Sequence, residues 1–347
     1  MEGNLVVRTV DPLNCETAVA ELIGGVITPN SAFYVRNHFP APSIDPTRWR
    51  LQVGGLVRRA LLLSLPDLFE MPAKSIVATL ECAGNGRAFL EPPVPGEQWA
   101  LGAVSTAEWT GVPLAHVLRR AGVARGAIEV VFRGADAPDS GDSSTTTRFE
   151  RSLRVDDAKE PSVLLAYAMN GEVLPVHHGY PLRVIVPGWY AVAGVKWLNE
   201  IELIDHAFTG HFQTEKYVYR WERDGHEAIE PVRQVRVRAL ITHPTTDQSV
   251  KPGTQAIRGL AWSGVAPIAR VDVSVNDGAW QRARLLGQAS RHSWQRWELI
   301  TRIEKPGEIV IRARATDRLG NSQPERPEWN RAGYGNNAIY QVTLHAL

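Results

Sequence analysis

Ser75-Ile-Val-Ala-Thr-Leu80 leads directly into Glu81-Cys-Ala-Gly-Asn-Gly-Arg87, so an apolar run ends at a cysteine that two glycines and an arginine follow. The apolar run is typical of a buried strand, and the glycines indicate a turn at its end. A thiol in that position, beside flexible backbone and a fixed positive charge, favours a thiolate that binds a ligand. Cys82 also has a plainer interpretation, because a lone cysteine after an apolar strand often only packs in a core.

The composition is that of a folded protein without a preference for polyanions. The 347 residues favour two domains, and 44% hydrophobic residues suffice for a large core. A net charge of +1 does not indicate nucleic acid or an acidic membrane as a partner. The two cysteines, Cys15 and Cys82, do not make a disulfide framework, which fits a reducing compartment or a reduced catalytic thiol.

The start of the sequence has no basic segment followed by an apolar stretch, and no apolar run is long enough for a membrane-spanning helix. We therefore expect a cytoplasmic protein without a membrane span. A periplasmic location stays open if a leader has been removed.

Residues 1–230 predict a mixed α and β domain. The stretch 111–122 predicts a helix, because Pro113 lies in its first turn and Gly122 follows as a stop. Asn170-Gly171, between two apolar stretches, predicts a β-hairpin. Apolar runs predict strands at 48–53, 75–81, 128–133, 163–169, 182–187 and 195–204.

Residues 231–347 predict an all-β domain of the immunoglobulin-like sandwich type, because short apolar runs alternate with turn signals such as Asn276-Asp-Gly278. No cysteine lies in this part, so an inter-sheet disulfide is excluded. The predicted strands are 235–241, 255–262, 268–275, 280–285, 294–300 and 309–315. The predicted fold class is α+β, with a mixed α/β domain followed by this sandwich.

Basic and histidine side chains lie at the ends of several predicted strands. Such a distribution favours an extended, anionic, phosphate-bearing ligand over a bare metal ion. Alternative explanations remain, because histidines also satisfy backbone carbonyls, arginines and lysines are often solvated, and tryptophans are more often core residues. The candidates are Arg36, His38, Arg87, His178, Arg183, Lys196 and Tyr217.

Other site chemistries lack their motifs. There is no His-Glu-x-x-His, no Cys-x-x-Cys and no compact set of carboxylates, which disfavours a zinc or calcium site held by protein ligands. The glycines after Cys82 do not have the spacing of a phosphate-binding loop, and no Gly-x-Ser-x-Gly supports a serine nucleophile.

Six segments in the same order resemble the sulfite oxidase family of molybdenum-cofactor enzymes, from about residue 30 to the C-terminus. Six segments in one order are far more specific than any one of them. They are Phe33-Tyr-Val-Arg-Asn-His-Phe-Pro40, Glu81-Cys-Ala-Gly-Asn85, Trp99-x-x-Gly-Ala-Val-Ser-Thr-Ala-x-Trp-Thr-Gly-Val112, Leu165-Ala-Tyr-Ala-Met-Asn-Gly171, His178-Gly-Tyr-Pro-Leu-Arg183 and Val195-Lys-Trp-Leu198.

The resemblance implies a molybdenum–molybdopterin cofactor with Cys82 as the thiolate ligand of the metal, a soft ligand that suits a metal already bound by sulfur. The implied pterin and phosphate contacts are His38, His178, Arg183 and Lys196. The implied pocket for the oxyanion substrate is formed by Arg36, Arg87, Trp99 and Tyr217. Residues 1–230 would be the catalytic domain that binds the cofactor, and 231–347 a dimerisation domain, so we expect a homodimer.

The activity implied by the resemblance is the oxidation of sulfite to sulfate by oxygen-atom transfer. Arg36 and Arg87 would attract and orient the anion. No segment resembles a haem-binding domain, so we expect no haem in this chain and a separate electron acceptor, either a cytochrome or a small oxidant.

Two positions depart from the family pattern. Gly86 stands where animal members often have the first of two adjacent arginines. In Trp329-Asn-Arg-Ala-Gly333, Ala332 stands where they have an arginine, and Arg331 lies one place earlier. Arg331 would therefore have to reach the pocket by a different path, and a different oxyanion or acceptor stays open.

Two kinds of alternative function remain at this point. The same cofactor and fold also suit a sulfoxide or nitrate reductase or a sulfane dehydrogenase. A protein of another class, a non-catalytic binding module with an immunoglobulin-like tail, would instead pair its arginines with carboxylates.

Overall fold

Strands dominate the computed structural model of the protein, which describes residues 4–138, 148–223, 226–246 and 248–347. In the first part of the chain they are, in chain order, β1 (Leu5–Thr9), β2 (Asn14–Thr17), β3 (Val35–Arg36), β4 (Leu51–Gly55), β5 (Leu61–Leu63), β6 (Lys74–Glu81), β7 (Val104–Pro113), β8 (Glu129–Gly134), β9 (Glu150–Arg154), β10 (Leu164–Met169), β11 (Glu172–Val173), β12 (Arg183–Ile185), β13 (Leu198–Ile204), β14 (Val218–Arg223) and β15 (His226–Pro231). The α-helices there are α1 (Leu65–Phe69), α2 (Leu114–Ala121), α3 (Val155–Ala158) and α4 (His211–Thr214), and short 3-10 helices cover Val19–Ile23, Asn30–Ala32, Arg87–Phe89, Val176–His178 and Ala191–Ala193.

Two sheets form the frame of the first part. One has the order β11-β10-β7-β6, with β12 also paired to β10, and the other has the order β5-β4-β13-β8-β9. In the second sheet β13 runs parallel to β4 and antiparallel to β8. The presence of both helices and strands in this part confirms the mixed α and β prediction. β7 and β10 are buried along most of their length, as their apolar sequences indicate. β6 pairs with β7 from Lys74 to Glu81, so Cys82 follows a fully paired strand.

The second part of the chain is the predicted immunoglobulin-like sandwich. Its sheets have the orders β16-β18-β22-β21 and β17-β24-β23-β19-β20. Ile257 and Trp297 of one sheet and Val273 and Ile311 of the other share one buried core. The strands are β16 (Arg238–His243), β17 (Ser249–Val250), β18 (Gly253–Trp262), β19 (Ile268–Val275), β20 (Gln281–Arg282), β21 (Arg284–Leu286), β22 (Gln295–Ile303), β23 (Gly307–Asp317) and β24 (Gln341–Ala346).

The predicted helix 111–122 was wrong at its start. Gly111 and Val112 continue β7 and pair with Ala166 and Leu165 of β10, and the helix begins only at Leu114. A Cβ on Gly111 would lie 2.0 Å from the Leu165 carbonyl oxygen. The glycine therefore allows β7 to approach β10 closely and does not mark the start of a helix. The Asn170-Gly171 hairpin is confirmed, because it joins β10 to β11.

The sandwich differs from the prediction at three strands, of which the short β17 was not predicted. The predicted strand 280–285 is divided into β20, which pairs with β19, and β21, which pairs with β22. The chain therefore crosses there from one sheet to the other. The last strand, β24, was not predicted, although it fills the space beside β23.

The two parts of the chain share a core. Leu240, Trp262 and Trp294 of the sandwich belong to the same buried apolar cluster as Val53 and Leu118 of the first part. The sandwich is therefore packed against the first part over a common apolar surface. Among the described residues, no helix has the length and apolar character needed to cross a membrane.

We expect Leu118→Ala to lower the free energy of unfolding by about 2–5 kcal/mol, because it leaves a cavity in the core. Leu118 lies on α2 and is 1% exposed, whereas Leu62 on β5 is 63% exposed and serves as the matched control. Leu62→Ala should change that free energy by less than about 0.5 kcal/mol. Urea unfolding followed by tryptophan fluorescence measures both, and equal losses would contradict the packing described.

Candidate functional site

The strand before Cys82 and the turn after it hold the thiol in a buried position. Cys82 is 5% exposed, and its N–H donates to the Ala103 carbonyl at 2.9 Å. The chain then turns, with the Asn85 N–H donating to the Cys82 carbonyl at 2.9 Å and Gly86 at φ 83°. Burial raises the pKa of the Cys82 thiol, while the nearby Arg36 guanidinium opposes that rise. Because burial disfavours the charged form, a thiolate at Cys82 needs a nearby positive charge, such as Arg36 or a bound metal ion, to stabilise it.

Two adjoining cavities meet at Cys82. We name them the Arg183 cavity and the Arg87 cavity. Residues that line both are Arg36, His38, Cys82 and Tyr217. Polar residues that line the Arg183 cavity alone are Asn37, Asp136, His177, His178, Arg183 and Lys196. The Arg87 cavity is lined in addition by Arg87, Glu97, Trp99, Glu215, Lys216, Arg220, Arg331 and Tyr334.

Arg183 is a buried cation held by a carbonyl and an aromatic ring. It is 4% exposed, its Nη1 donates to the His178 carbonyl at 2.9 Å, and its guanidinium lies 4.9 Å from the ring centre of Trp109. Its Nε is buried and has no hydrogen-bond partner among the described residues. Burial lowers the pKa of Arg183 to about 10, so the group remains charged at neutral pH. A charged donor with a free N–H suits an anionic ligand.

Lys196 and Asp136 face each other in the same cavity. The Lys196 Nζ donates to the His177 carbonyl at 2.8 Å and to the Asn37 side-chain oxygen, and it lies 4.3 Å from the ring centre of Trp197. Burial and the charge of Arg183 hold the pKa of Lys196 well below its ordinary value. Burial raises the pKa of Asp136 to about 6, and Lys196 opposes that shift.

The two histidines predicted at this site are neutral. Burial lowers the pKa of His178 to about 3, and Arg183 and Lys196 act in the same direction. Burial and the charge of Arg36 hold the pKa of His38 well below its ordinary value. A neutral imidazole can both donate and accept a hydrogen bond, so these side chains suit polar atoms of a ligand.

Tyr217 lines both cavities, and its backbone is strained. Its φ is 52°, in the left-handed region, and the Val232 N–H donates to its carbonyl at 2.8 Å. Its hydroxyl lies 2.8 Å from the His38 Nε2. Burial raises the pKa of Tyr217, so the phenol keeps its proton and can donate it in a hydrogen bond. Arg36 beside it is anchored by an Nη1 bond to the Asn14 Oδ1 at 3.1 Å.

Arg87 is folded back over the turn that carries Cys82. Its Nη1 donates to the Glu97 carbonyl at 2.9 Å and its Nη2 to the Ala332 carbonyl at 3.2 Å, and the guanidinium lies 5.1 Å from the Tyr334 ring centre. A Cβ on Gly84 would lie 2.6 Å from Nη1, so a glycine is needed for this approach. The Arg87 Nε is buried and has no hydrogen-bond partner among the described residues.

The structure brings every predicted site residue to one of the two cavities, or to both. Arg331, which the sequence placed one position away from the family's arginine, is exposed and lines the Arg87 cavity beside Ala332. Trp99 also lines that cavity, although its side chain is fully buried.

Sequence reasoning missed three residues of the Arg183 cavity. Asn37 and His177 lie next to predicted site residues, and that adjacency was a signal that could have found them. Asp136 carried no such signal, because it follows β8 at the start of a polar stretch and reaches the cavity only through the packing of that sheet.

The polar side chains in the Arg183 cavity fit a large anionic cofactor that also carries N–H groups. Arg183 has a free buried N–H, Asp136 has a buried carboxylate oxygen, Oδ1, without a partner among the described residues, and Phe33 and Leu80 add apolar wall. The described residues contain no cluster of three or more His, Cys, Asp or Glu side chains that could hold a metal ion. A metal at Cys82 would therefore take its other ligands from such a cofactor.

Comparison with known proteins shows the same two-part organisation. Residues 38–212 match the family profile "Oxidoreductase molybdopterin binding domain", and residues 230–347 match "Mo-co oxidoreductase dimerisation domain". The chain is 36% identical to the mitochondrial sulfite oxidase of Homo sapiens, over 98% of this chain and 66% of the human protein. It is 32% identical to the sulfite oxidase of Arabidopsis thaliana, over 98% of this chain and 94% of the plant protein. The chain thus spans about two thirds of the human relative.

Among solved structures, the sulfane dehydrogenase SoxCD from Paracoccus pantotrophus superposes on the chain with a TM-score of 0.85 at 29% identity. The superposition covers 98% of this chain and 88% of the other. The likeness extends through both parts of the chain.

We expect the protein to become less stable as the pH drops, partly because of His178. Between about pH 6.5 and pH 3 the unfolded chain binds a proton at this residue and the folded chain does not, so protonation favours unfolding as the pH drops. His178→Gln should reduce the slope of the unfolding free energy in that window by up to about 1.4 kcal/mol per pH unit.

Urea unfolding of the parent and variant at several pH values from 4 to 8 measures this slope. His206→Gln is the matched control, because the His206 side chain is 70% exposed. An unchanged slope in His178→Gln would show that the folded protein binds a proton at His178 as readily as the unfolded chain.

Proposed function

The chain belongs to the sulfite oxidase family of molybdopterin-binding oxidoreductases, and from this premise we propose that it oxidises sulfite to sulfate by oxygen-atom transfer. The observation that carries the proposal is the position of Cys82 on the partition between two cavities. On one side lie cations that suit a phosphate-bearing cofactor, and on the other lie arginines that suit a small oxyanion.

The Arg183 cavity would hold the cofactor. Arg183 and Lys196 offer charged donors to its phosphate, and His38 and His178 offer neutral ones. The unpartnered Asp136 oxygen would accept a hydrogen bond from an N–H of the pterin. Cys82 would be the protein's ligand to molybdenum.

The residues of the Arg87 cavity would bind and orient the anion. When bound, the cofactor supplies the oxygen atom and accepts two electrons, so that sulfite and water become sulfate, two protons and two electrons. Arg36 and Arg87 would fix the sulfite oxygens and direct its sulfur toward the metal. Tyr217 would donate a hydrogen bond to the anion from its protonated hydroxyl. Arg331, at the exposed edge of the cleft, would attract the anion from solvent.

The assembly would be a homodimer formed through residues 230–347, which match a dimerisation domain. The two electrons would pass one at a time to a separate acceptor, either a cytochrome or a small oxidant. Oxidation of a sulfane sulfur is the second candidate activity, favoured by the similarity to SoxCD through both parts of the chain. Steady-state assays with sulfite and with sulfane compounds against one panel of acceptors separate the two.

Cys82→Ser should abolish sulfite-dependent reduction of an acceptor, because the metal loses its thiolate ligand. Cys15→Ser is the matched control, since Cys15 is also buried but lines neither cavity. Molybdenum analysis and an assay with ferricyanide measure both variants. Full activity in Cys82→Ser would reject the proposal.

Arg36→Gln should lower kcat/KM for sulfite by about 10- to 100-fold, which corresponds to the loss of one charge-assisted hydrogen bond to the anion. The effect should appear chiefly in KM if Arg36 binds the ground state as well as the transition state. Arg125→Gln, at an exposed position outside both cavities, should leave both constants unchanged. If Arg36→Gln has the kinetics of the parent, Arg36 does not bind the anion.

A further inference from the structure

The sandwich supplies many of the hydrogen bonds that hold the chain on both sides of Cys82. Before it, the Thr79 N–H donates to the His292 carbonyl at 2.8 Å, and the Thr79 hydroxyl accepts the Trp294 N–H at 2.9 Å. After it, the contacts join the Ala83 carbonyl to the Gly335 N–H at 2.8 Å, the Gly86 carbonyl to the Asn336 Nδ2 at 2.8 Å, and the Arg87 Nη2 to the Ala332 carbonyl at 3.2 Å.

Glu81, the residue before Cys82, contacts the sandwich through a buried ion pair. The Glu81 side chain is 2% exposed and forms an ion pair of 2.9 Å with the Nη1 of Arg238, whose side chain is 5% exposed. Its other oxygen accepts the Trp262 Nε1 at 2.8 Å, and Oε1 also accepts the Asn85 Nδ2 at 2.9 Å. The carboxylate is therefore fully bonded, which a buried charge requires.

Arg238 also reaches the far side of the turn. Its Nη1 donates to the Asn85 carbonyl at 3.2 Å, so one guanidinium contacts residues on both sides of Cys82. A Cβ on Gly86 would lie 2.8 Å from the Arg238 Nη2. The glycine therefore leaves room for the guanidinium, and an arginine at position 86 would collide with it. The departure from the animal pattern at Gly86 is in this way linked to Arg238 in the sandwich.

We propose that Glu81 and Arg238 are positioning residues, through which the sandwich fixes the direction of the Cys82 thiolate toward the metal. Neither residue lines the two cavities, so neither would contact substrate or cofactor. The inference rests on the proposed function, because it takes Cys82 as the metal ligand. The sandwich then has a role in the active site in addition to dimerisation.

The test measures the reactivity of Cys82 in the full-length chain purified without molybdenum cofactor. In a Cys15→Ser background Cys82 is the remaining thiol, and its buried position makes alkylation by iodoacetamide depend on local opening of the turn. Arg238→Met should raise the alkylation rate by about 10-fold or more, because it removes a charge-assisted bond to each side of the turn. Arg238→Lys, which restores the charge, should recover part of the protection.

The control and a second variant keep the result interpretable. Arg258→Met breaks another ion pair of the sandwich, with Glu298 at 2.8 Å, and should not change the rate. Arg238→Met leaves the Glu81 carboxylate buried without its cation, which can prevent folding. The double variant Glu81→Gln/Arg238→Met removes both charges, and it replaces the single variant in the test if the single variant does not fold. In the cofactor-loaded enzyme the double variant should lower kcat for sulfite while KM stays near the parental value.

Failure of the positioning role and failure of the proposed function can be told apart. Folded Arg238 variants that alkylate at the parental rate would overturn the positioning role, whether or not the protein oxidises sulfite. A rise in KM with an unchanged kcat would also overturn it, since that pattern indicates a substrate contact. Failure of the proposed function would appear instead as a Cys82→Ser enzyme that keeps its activity, whatever the alkylation rates.

Discussion

Cations buried without carboxylate partners are the constraint on which the rest of the site depends. In the described part of the chain Arg87 and Arg183 form no ion pair, and each is held by a backbone carbonyl and the face of an aromatic ring. Carbonyls and rings stabilise a cation without cancelling its charge. Burial, assisted by the positive charge of Lys196, lowers the pKa values of His38 and His178, so these imidazoles stay neutral at neutral pH. A site built in this way has an excess of positive charge that a bound anion would neutralise.

Local sequence patterns predicted those parts of the fold that depend on neighbours in the chain. The apolar run before Cys82 predicted β6, and Asn170-Gly171 predicted the hairpin between β10 and β11, because periodicity and turn chemistry act over a few residues. The error at 111–113 has the opposite cause. Gly111 and Pro113 match a helix start in sequence, but pairing with β10 decides their conformation.

The site was predictable to the extent that its segments were recognisable together. Arg36, Cys82, His178 and Tyr217 are far apart in sequence. The residue types at strand ends favoured an anionic ligand, but only the resemblance assigned these residues to one site together with Cys82. Asp136 could not be found in this way, because its burial depends on how β8 and β13 pack beneath the cavity. Contacts between the two parts of the chain were likewise beyond any local pattern.

The four residues shared by both cavities limit how the protein can change over evolutionary time. A substitution at Arg36, His38, Cys82 or Tyr217 alters the wall of the cofactor cavity and the wall of the substrate cleft at once. Arg331 and Lys216 line the Arg87 cavity alone and are exposed, so mutation there can adjust the accepted anion without loss of the cofactor. New substrate preferences in this scaffold should therefore arise at the rim of the cleft, while the partition stays as it is.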